Sequence, residues 1–243
     1  MLLTLFNGNF TMEQVFAQIL AVLAIVFLIL PFHEWAHAFT ASCLGDKGIK
    51  ARGRLSLNPL SHIDPIGALM LLLVGFGWAK PVPVDPRYFK RPKVGMAITA
   101  LMGPVANVVA ALGGFLVLNG LKTFALSSVY TDSGKIVYEN GELVRLLEPT
   151  VLGYFLLFYI IVNLNLAVFN LIPIPPLDGS KIMFVFLPDK AVNFFYRYQN
   201  VFFIILFALM WGGALNGVIG FFTDNISRGL EWLAWLPFKP FVS

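Results

Sequence analysis

Two histidines and a glutamate in the segment His33-Glu34-Trp35-Ala36-His37 have the residue types and the spacing of a zinc hydrolase motif. Residues four apart lie on one face of an α-helix, so His33 and His37 can offer two imidazoles to one metal ion. Glu34 stands beside them and can hold the attacking water. The pattern therefore predicts metal-assisted hydrolysis.

The motif lies inside an apolar stretch from about Gln14 to Leu44, which is longer than the roughly 20 residues that a membrane-spanning helix needs. The 243-residue chain is 58% hydrophobic and only 12% charged, with a mean hydropathy of +0.79. This composition predicts an all-α polytopic membrane protein that lies in a lipid bilayer. We interpret residues 1–243 as a single membrane domain, since no repeat or linker divides them.

Charge and cysteine usage exclude several other classes of protein. The net charge of +4 comes without a basic block, so the sequence gives no support to nucleic acid binding. The single cysteine, Cys43, excludes an internal disulfide and a thiolate metal site.

Apolar runs predict about four transmembrane helices and one re-entrant segment. The predicted spans are about Gln14 to Leu44, Val94 to Leu121, Thr150 to Asn170, and Val201 to Phe222. The apolar run Ile66 to Trp78 is too short to span and has basic residues on both flanks. By the positive-inside rule both of its ends lie in the cytoplasm, which makes it re-entrant.

The connecting segments carry their own predictions. Gly48 to Leu57 and Trp78 to Tyr88 resemble short β-strands, which could pair with an extended substrate by β-augmentation. Asp132 to Glu148 is expected to be an outer loop. The C-terminal tail, with Trp232 and Trp235, is expected to form an interfacial helix.

Basic residues place one end of the first span. Lys47, Lys50, Arg52 and Arg54 follow it closely, so its C-terminal end is expected to face the cytoplasm and to contact anionic lipid.

A catalytic zinc needs a third protein ligand besides the two histidines. The third histidine, His62, lies in a polar loop and is expected to make only a local hydrogen bond. Asp178 is a lone acid in an apolar segment that three prolines break, and a carboxylate at membrane depth is functional by default. Asp178 is therefore the better candidate. Counting about 1.5 Å per residue also puts His33 and Asn107 at a similar depth, roughly 21 Å from the cytoplasmic surface.

These motifs give the chain a family resemblance. The His33 to His37 motif and the segment from Asn170 through Asp178-Gly179 are together similar to the signatures of the site-2 protease family, the intramembrane zinc metalloproteases. Ser180 stands where many members have a second glycine. The resemblance is to a compact form without a PDZ domain, and it makes residues 1–243 a single intramembrane metalloprotease domain.

The resemblance implies a role for each of the candidate residues. His33, His37 and Asp178 would bind one Zn2+ per chain, and Glu34 would be the general base. Asn170 would be a polar partner for the substrate carbonyl or its oxyanion.

Each role has a structural alternative. The histidines could be packed core residues, and Asp178 could cap a short helix. Asn170 and Asn107 could tie membrane helices together, although Asn107 could also orient the substrate or a ligand.

The leading functional prediction is an intramembrane zinc endopeptidase of the cell membrane. It would cleave single-span transmembrane proteins near the cytoplasmic side of the bilayer. The alternative is a zinc or ion transporter that uses the same histidines and aspartate as a transport site. Glu34 distinguishes the two, because only a hydrolase needs a general base beside the metal.

Overall fold

The computed structural model of the chain describes residues 11–74, 77–133 and 151–241. Within these ranges the secondary structure is helical, as the sequence predicts. The α-helices are α1 (Met12–Ala24), α2 (Leu30–Cys43), α3 (Gly48–Ala51), α4 (Pro65–Val74), α5 (Pro92–Ser133), α6 (Val151–Asn170), α7 (Asp178–Met183), α8 (Asp189–Arg197), α9 (Gln199–Trp211) and α10 (Asn216–Trp235). Most of the predicted outer loop from Asp132 to Glu148 lies outside the described residues.

Three helical segments in the described part of the chain are long and apolar enough to cross a membrane. They are Val15–Cys43, Pro92–Thr123 and Val151–Asn170. The first joins α1 to α2 through a π-helical turn at Ile25–Ile29. These segments match the first three predicted spans.

The fourth predicted span, Val201 to Phe222, is not one helix. Helix α9 ends at Trp211, and Gly213, with a φ of +72°, lies in the turn before α10. A glycine with positive φ ends helices because it adopts this conformation without steric cost. Helices α8 and α9 are long and apolar enough to cross a membrane only when taken together, and they are bent by 67° relative to each other.

The predicted β-strands are absent from the described residues. Gly48–Ala51 forms the short helix α3, which contradicts the strand-like interpretation of Gly48 to Leu57. Trp78 to Tyr88 contains extended backbone, but the recorded pairing is one isolated antiparallel bridge between Ile63 and Ala79. Prolines at 81, 83 and 86 explain this result, because proline has no N–H for a β-ladder.

Helix α4 lies in a hairpin whose two ends meet. The Ile63–Ala79 bridge joins the residues on either side of it, and the Lys80 N–H donates to the His62 carbonyl at 2.8 Å. Gly67 also packs so closely on the Trp78 backbone that a Cβ there would collide with it. The chain therefore returns close to its starting point after α4.

Helix α5 lies at the centre of the fold and packs against α2, α6, α7 and α10. One core cluster joins α5, α6 and α10 through Ala111, Phe115, Leu118, Leu156, Ile160, Leu164 and Ala234. The chain breaks after α6, as the prolines predict, and turns through residues 171–177 before α7 begins. Gly179, in the first turn of α7, packs against this break, because a Cβ there would collide with the Leu171 carbonyl. The break brings the N-terminal end of α7 beside α2 and α5.

Candidate metal centre

Helix α2 supplies two imidazoles that face each other. His33 and His37 are one turn apart, both are buried, and their Nε2 atoms are 3.0 Å apart. The two rings meet edge to face, with an angle of 86° between their planes. The i, i+4 spacing therefore brings two imidazole nitrogens to one point, as the sequence predicts.

Helix α7 supplies a carboxylate to the same point. Asp178 Oδ2 is 3.3 Å from His33 Nε2 and 3.1 Å from His37 Nε2. A tetrahedral zinc with ligand bonds of about 2.0–2.1 Å separates its ligand atoms by about 3.3–3.4 Å, so the three atoms fit one face of such a site. Asp178 makes no capping hydrogen bond at the start of α7, whose N-cap is Leu177. The geometry thus favours the metal-ligand role over the helix-capping alternative.

Helix α5 holds the imidazoles in place from the other side. The Nδ1 atom of His37 lies 2.7 Å from the Thr99 carbonyl. This carbonyl can only accept a hydrogen bond, so Nδ1 is the donor in this contact, and Nε2 faces His33 Nε2 and Asp178 Oδ2. Gly103 lies against both rings, and a Cβ there would collide with His37 Nε2. The depth count places Asn107 level with His33, whereas the residue of α5 that lies against both rings is Gly103, one turn closer to Lys93.

Glu34 lies beside the two histidines and is held by a segment that is distant in sequence. The ligand atoms of His33, Glu34 and His37 all lie within 4.8 Å of one another. The backbone N–H of Val82 donates to Glu34 Oε2 at 3.0 Å. We call residues 81–85 the brace, because they lie across this side of the site.

The N–H groups of the brace are already used or missing. Pro81 and Pro83 have none. The N–H of Val82 donates to Glu34, that of Val84 to the Val82 carbonyl, and that of Asp85 to Asp46 Oδ2. The brace in this conformation therefore offers no N–H to a substrate strand, which does not support the β-augmentation hypothesis for this segment.

A cavity of about 340 Å³ contains these groups. It is lined by His33, Glu34, His37, Pro81, Val82, Pro83, Val84, Met96, Thr99, Ala100, Asn170, Pro176, Asp178 and Lys181. The three metal-ligand candidates, the general-base candidate and one of the two candidate asparagines therefore line one cavity.

The two asparagines are placed differently. Asn170 is the last residue of α6 and lines the cavity, while its Nδ2 donates to the Leu166 carbonyl at 3.0 Å. Asn107 is fully buried on α5 and is not among the residues that line the cavity. Neither of its amide atoms has a hydrogen-bond partner within the described part of the chain.

The sequence does not predict the contacts of Lys181 and Val82 at this site, whereas it does predict a local hydrogen bond for His62. Lys181 Nζ lies 2.9 Å from Asp178 Oδ1, the oxygen that faces away from His33 and His37. The i, i+3 spacing of a lysine after a buried aspartate could have indicated this pair. The Val82 contact leaves no sequence signal, because it uses a backbone N–H. His62 is buried and lies 2.7 Å from the Ser56 carbonyl through Nε2, the local bond that the sequence predicts.

The fold and the site together define a membrane-helix protein with two imidazoles, one carboxylate and an adjacent glutamate at a buried metal-binding position. The family model for peptidase family M50 matches residues 20–212, most of the chain. The chain therefore belongs to peptidase family M50, which confirms the resemblance drawn from the motifs.

Several curated proteins are similar to the chain. "Putative zinc metalloprotease YwhC" of Bacillus subtilis (strain 168) is 38% identical over 161 residues, which cover 65% of this chain and 66% of YwhC. "Putative zinc metalloprotease Rip2" of Mycolicibacterium smegmatis is 29% identical over 192 residues, which cover 77% of this chain and 65% of Rip2.

A shorter match is "Protease RseP" of Photorhabdus luminescens, 32% identical over 85 residues, with 32% of this chain and 37% of RseP covered. The chain thus spans just under two thirds of the length of YwhC and Rip2. No solved structure gives a significant match to the chain.

Proposed function

We propose that the chain is an intramembrane zinc endopeptidase that cleaves transmembrane segments of membrane proteins, as in regulated intramembrane proteolysis. One observation carries this proposal: His33 Nε2, His37 Nε2 and Asp178 Oδ2 lie 3.0–3.3 Å from one another, beside Glu34, in a cavity that all four residues line. Three ligands leave the fourth position of a tetrahedral zinc for water, which is the arrangement of a catalytic zinc site. Membership of family M50 and the names of the relatives support it.

The residues of the chain divide the chemistry of peptide hydrolysis between them. His33, His37 and Asp178 would hold one Zn2+, which when bound lowers the pKa of water and polarises the scissile carbonyl. Glu34 accepts the proton of the attacking water and later passes it to the leaving amine. The Val82 N–H holds Glu34 Oε2, so Oε1 is the oxygen free to face the water.

The asparagines have two different proposed roles. Asn170 lines the cavity and still has an amide hydrogen to donate beyond its bond to Leu166, so it is proposed to stabilise the developing oxyanion. Asn107 follows Gly103 by one turn of α5. Its proposed role is indirect, to orient the metal-ligand helix or the bound substrate from outside the cavity.

Membrane topology follows from the same features. We propose four spans, of which Val15–Cys43, Pro92–Thr123 and Val151–Asn170 are the first three and the bent pair α8–α9 is the fourth. The α4 hairpin is proposed to enter and leave the bilayer on one side. Basic residues after the first span support an active site toward the cytoplasmic side of the cell membrane.

A single introduced cysteine tests this orientation. Cys43→Ala removes the natural cysteine, and Lys50→Cys then places one thiol at an exposed position after the first span. A membrane-impermeant maleimide should label this thiol in inverted vesicles and leave it unlabelled in intact cells. Labelling in intact cells would overturn the cytoplasmic placement.

The catalytic proposal is tested by Glu34→Gln. The purified wild type and this variant are incubated in detergent with a panel of single-span membrane proteins, with and without a zinc chelator. We expect cleavage by the wild type, no cleavage in chelator, and a loss of at least about 1,000-fold in the variant with its zinc content unchanged.

Glu231→Gln is the matched control, because Glu231 is exposed on α10 and the change removes one charge in the same way. This control should cleave like the wild type. Cleavage by Glu34→Gln or in chelator would overturn the hydrolytic mechanism. Zinc-dependent ion movement that survives Glu34→Gln, without any cleavage, would favour the transporter instead.

A further inference from the structure

The carboxylate of Asp46 is buried just beyond the end of α2 and has no part in the metal site. Asp46 has 0% exposure. Its Oδ1 accepts the Gly48 N–H at 3.0 Å, and its Oδ2 accepts the N–H of Asp85, in the brace, at 2.9 Å. A buried charge is costly unless it is paired and hydrogen-bonded, so this carboxylate needs both the amides and the cation that faces it.

That cation is Arg52, which contacts both Asp46 and the brace. One of its terminal nitrogens donates to Asp46 Oδ2 at 3.3 Å and to the Pro83 carbonyl, in the brace, at 2.8 Å. The sequence assigns Arg52 to a basic cluster that faces lipid, whereas the structure places it on the brace. Asp46 and Arg52 therefore fasten the brace at Pro83 and at Asp85.

Apolar contacts add to this attachment. Val82 and Val84 of the brace pack against a buried cluster composed of Ala38, Ala41, Ile49 and Phe89. Gly45 has a φ of +122°, and a Cβ there would lie 2.9 Å from the Tyr88 carbonyl, so the chain between α2 and Asp46 turns tightly against Tyr88, three residues after the brace. The end of α2 and the brace thus form one packed unit.

We propose that Asp46 is a positioning residue for peptide hydrolysis: it fastens the brace to the end of α2, so that the Val82 N–H holds Glu34 in its working orientation. The inference rests on the proposed peptidase function. The link runs from Asp46 through the Asp85 N–H to the brace, and from the brace through the Val82 N–H to Glu34 Oε2. A glutamate has three rotatable side-chain bonds, and a displacement of about 1 Å at a catalytic group costs about 100-fold in rate.

The test measures kcat, KM, zinc content and backbone protection in the full chain. Asp46→Ala should lower kcat by about 10- to 100-fold on a single-span substrate that the wild type cleaves, with KM changed less than about threefold and zinc retained. Asp46→Asn keeps the size and one oxygen acceptor, and should lose less. Hydrogen exchange of a peptide that covers residues 81–89 should be faster in Asp46→Ala.

A double-mutant cycle tests the route through Val82. Val82→Pro removes the one N–H that reaches Glu34, at a position between two prolines where the backbone is already extended. If Asp46 acts through this N–H, the double variant loses no more than the worse single variant. Multiplied losses, or a wild-type kcat in Asp46→Ala, would overturn the inference.

Two further variants complete the design. Arg87→Ala is the control: Arg87 is exposed, pairs with the Asp85 side chain and lowers the pKa of that carboxyl to about 2, yet does not contact Asp46. It should cleave normally.

If Asp46→Ala does not fold, Arg52→Ala takes its place and should lower kcat by about 3- to 10-fold. A wild type no more active than Glu34→Gln would instead refute the proposed function, whatever the hydrogen exchange shows.

Discussion

The metal-ligand cluster and the brace hold the same site by different means. The cluster consists of the side chains of His33, His37 and Asp178, all buried and supplied by two helices. The brace lacks regular secondary structure, is only partly buried, and contacts Glu34 through a backbone N–H. Residue type is therefore decisive in the cluster, whereas in the brace the decisive property is the position of the main chain.

This difference ranks the expected effects of mutation. We expect a change in the cluster to remove a ligand and with it the metal. A change at Asp46 should leave the proposed ligands in place and disturb only Glu34. Zinc content should separate the two regions, because it falls in the first case and not in the second.

Asp178→Ala should abolish both zinc binding and cleavage. The change leaves two imidazoles without the carboxylate that completes the site, and it leaves Lys181 without its partner. We expect activity to fall by at least about 1,000-fold, with zinc lost on purification, as measured by metal analysis. Asp189→Ala is the control, because Asp189 is exposed and pairs with Lys93 instead of with the proposed ligands. Full zinc content in Asp178→Ala would contradict the ligand assignment.

Gly103→Ala should weaken zinc binding without changing any ligand. The new Cβ would collide with the His37 ring, which its bond to the Thr99 carbonyl keeps from turning away. Zinc affinity should fall by about 10- to 100-fold, the range seen when the support of a metal ligand is lost. Gly113→Ala, on the same helix, is a matched control because nothing lies within 4 Å of its Cβ position. Equal zinc affinity in the two variants would show that α5 does not confine the imidazoles.

Asn170→Ala and Asn107→Ala should separate the two asparagines at constant zinc content. Asn170 lines the cavity, so its removal should lower kcat by about 100-fold, as expected for an oxyanion donor. Asn107 lies outside the lining, and its replacement should change kcat by less than about threefold. Steady-state kinetics on one cleaved substrate measures both. A larger loss in Asn107→Ala than in Asn170→Ala would contradict the assignment of the oxyanion donor to Asn170.

The sequence predicts much of the ligand cluster because its candidate ligands lie in short motifs whose residue types and spacing can be recognised without the fold. The i, i+4 spacing of His33 and His37 alone sets their shared face, and the prolines before Asp178 alone require the break after α6. The hydropathy pattern likewise predicts three spans that the structure contains. Strand-like composition was misleading in Gly48 to Leu57, where local turns and the Asp46 side chain favour the short helix α3.

Residue type and helical period are enough to identify, from the chain alone, the groups that could bind a metal and activate water. Folding was needed to show which groups meet: Gly103 confines the imidazoles, the Val82 N–H reaches Glu34, and Asp46 accepts the N–H of Asp85 in the brace. These contacts depend on a missing side chain, a backbone N–H and a buried charge. Such groups have no periodicity, and their partners are set by packing between segments far apart in the chain.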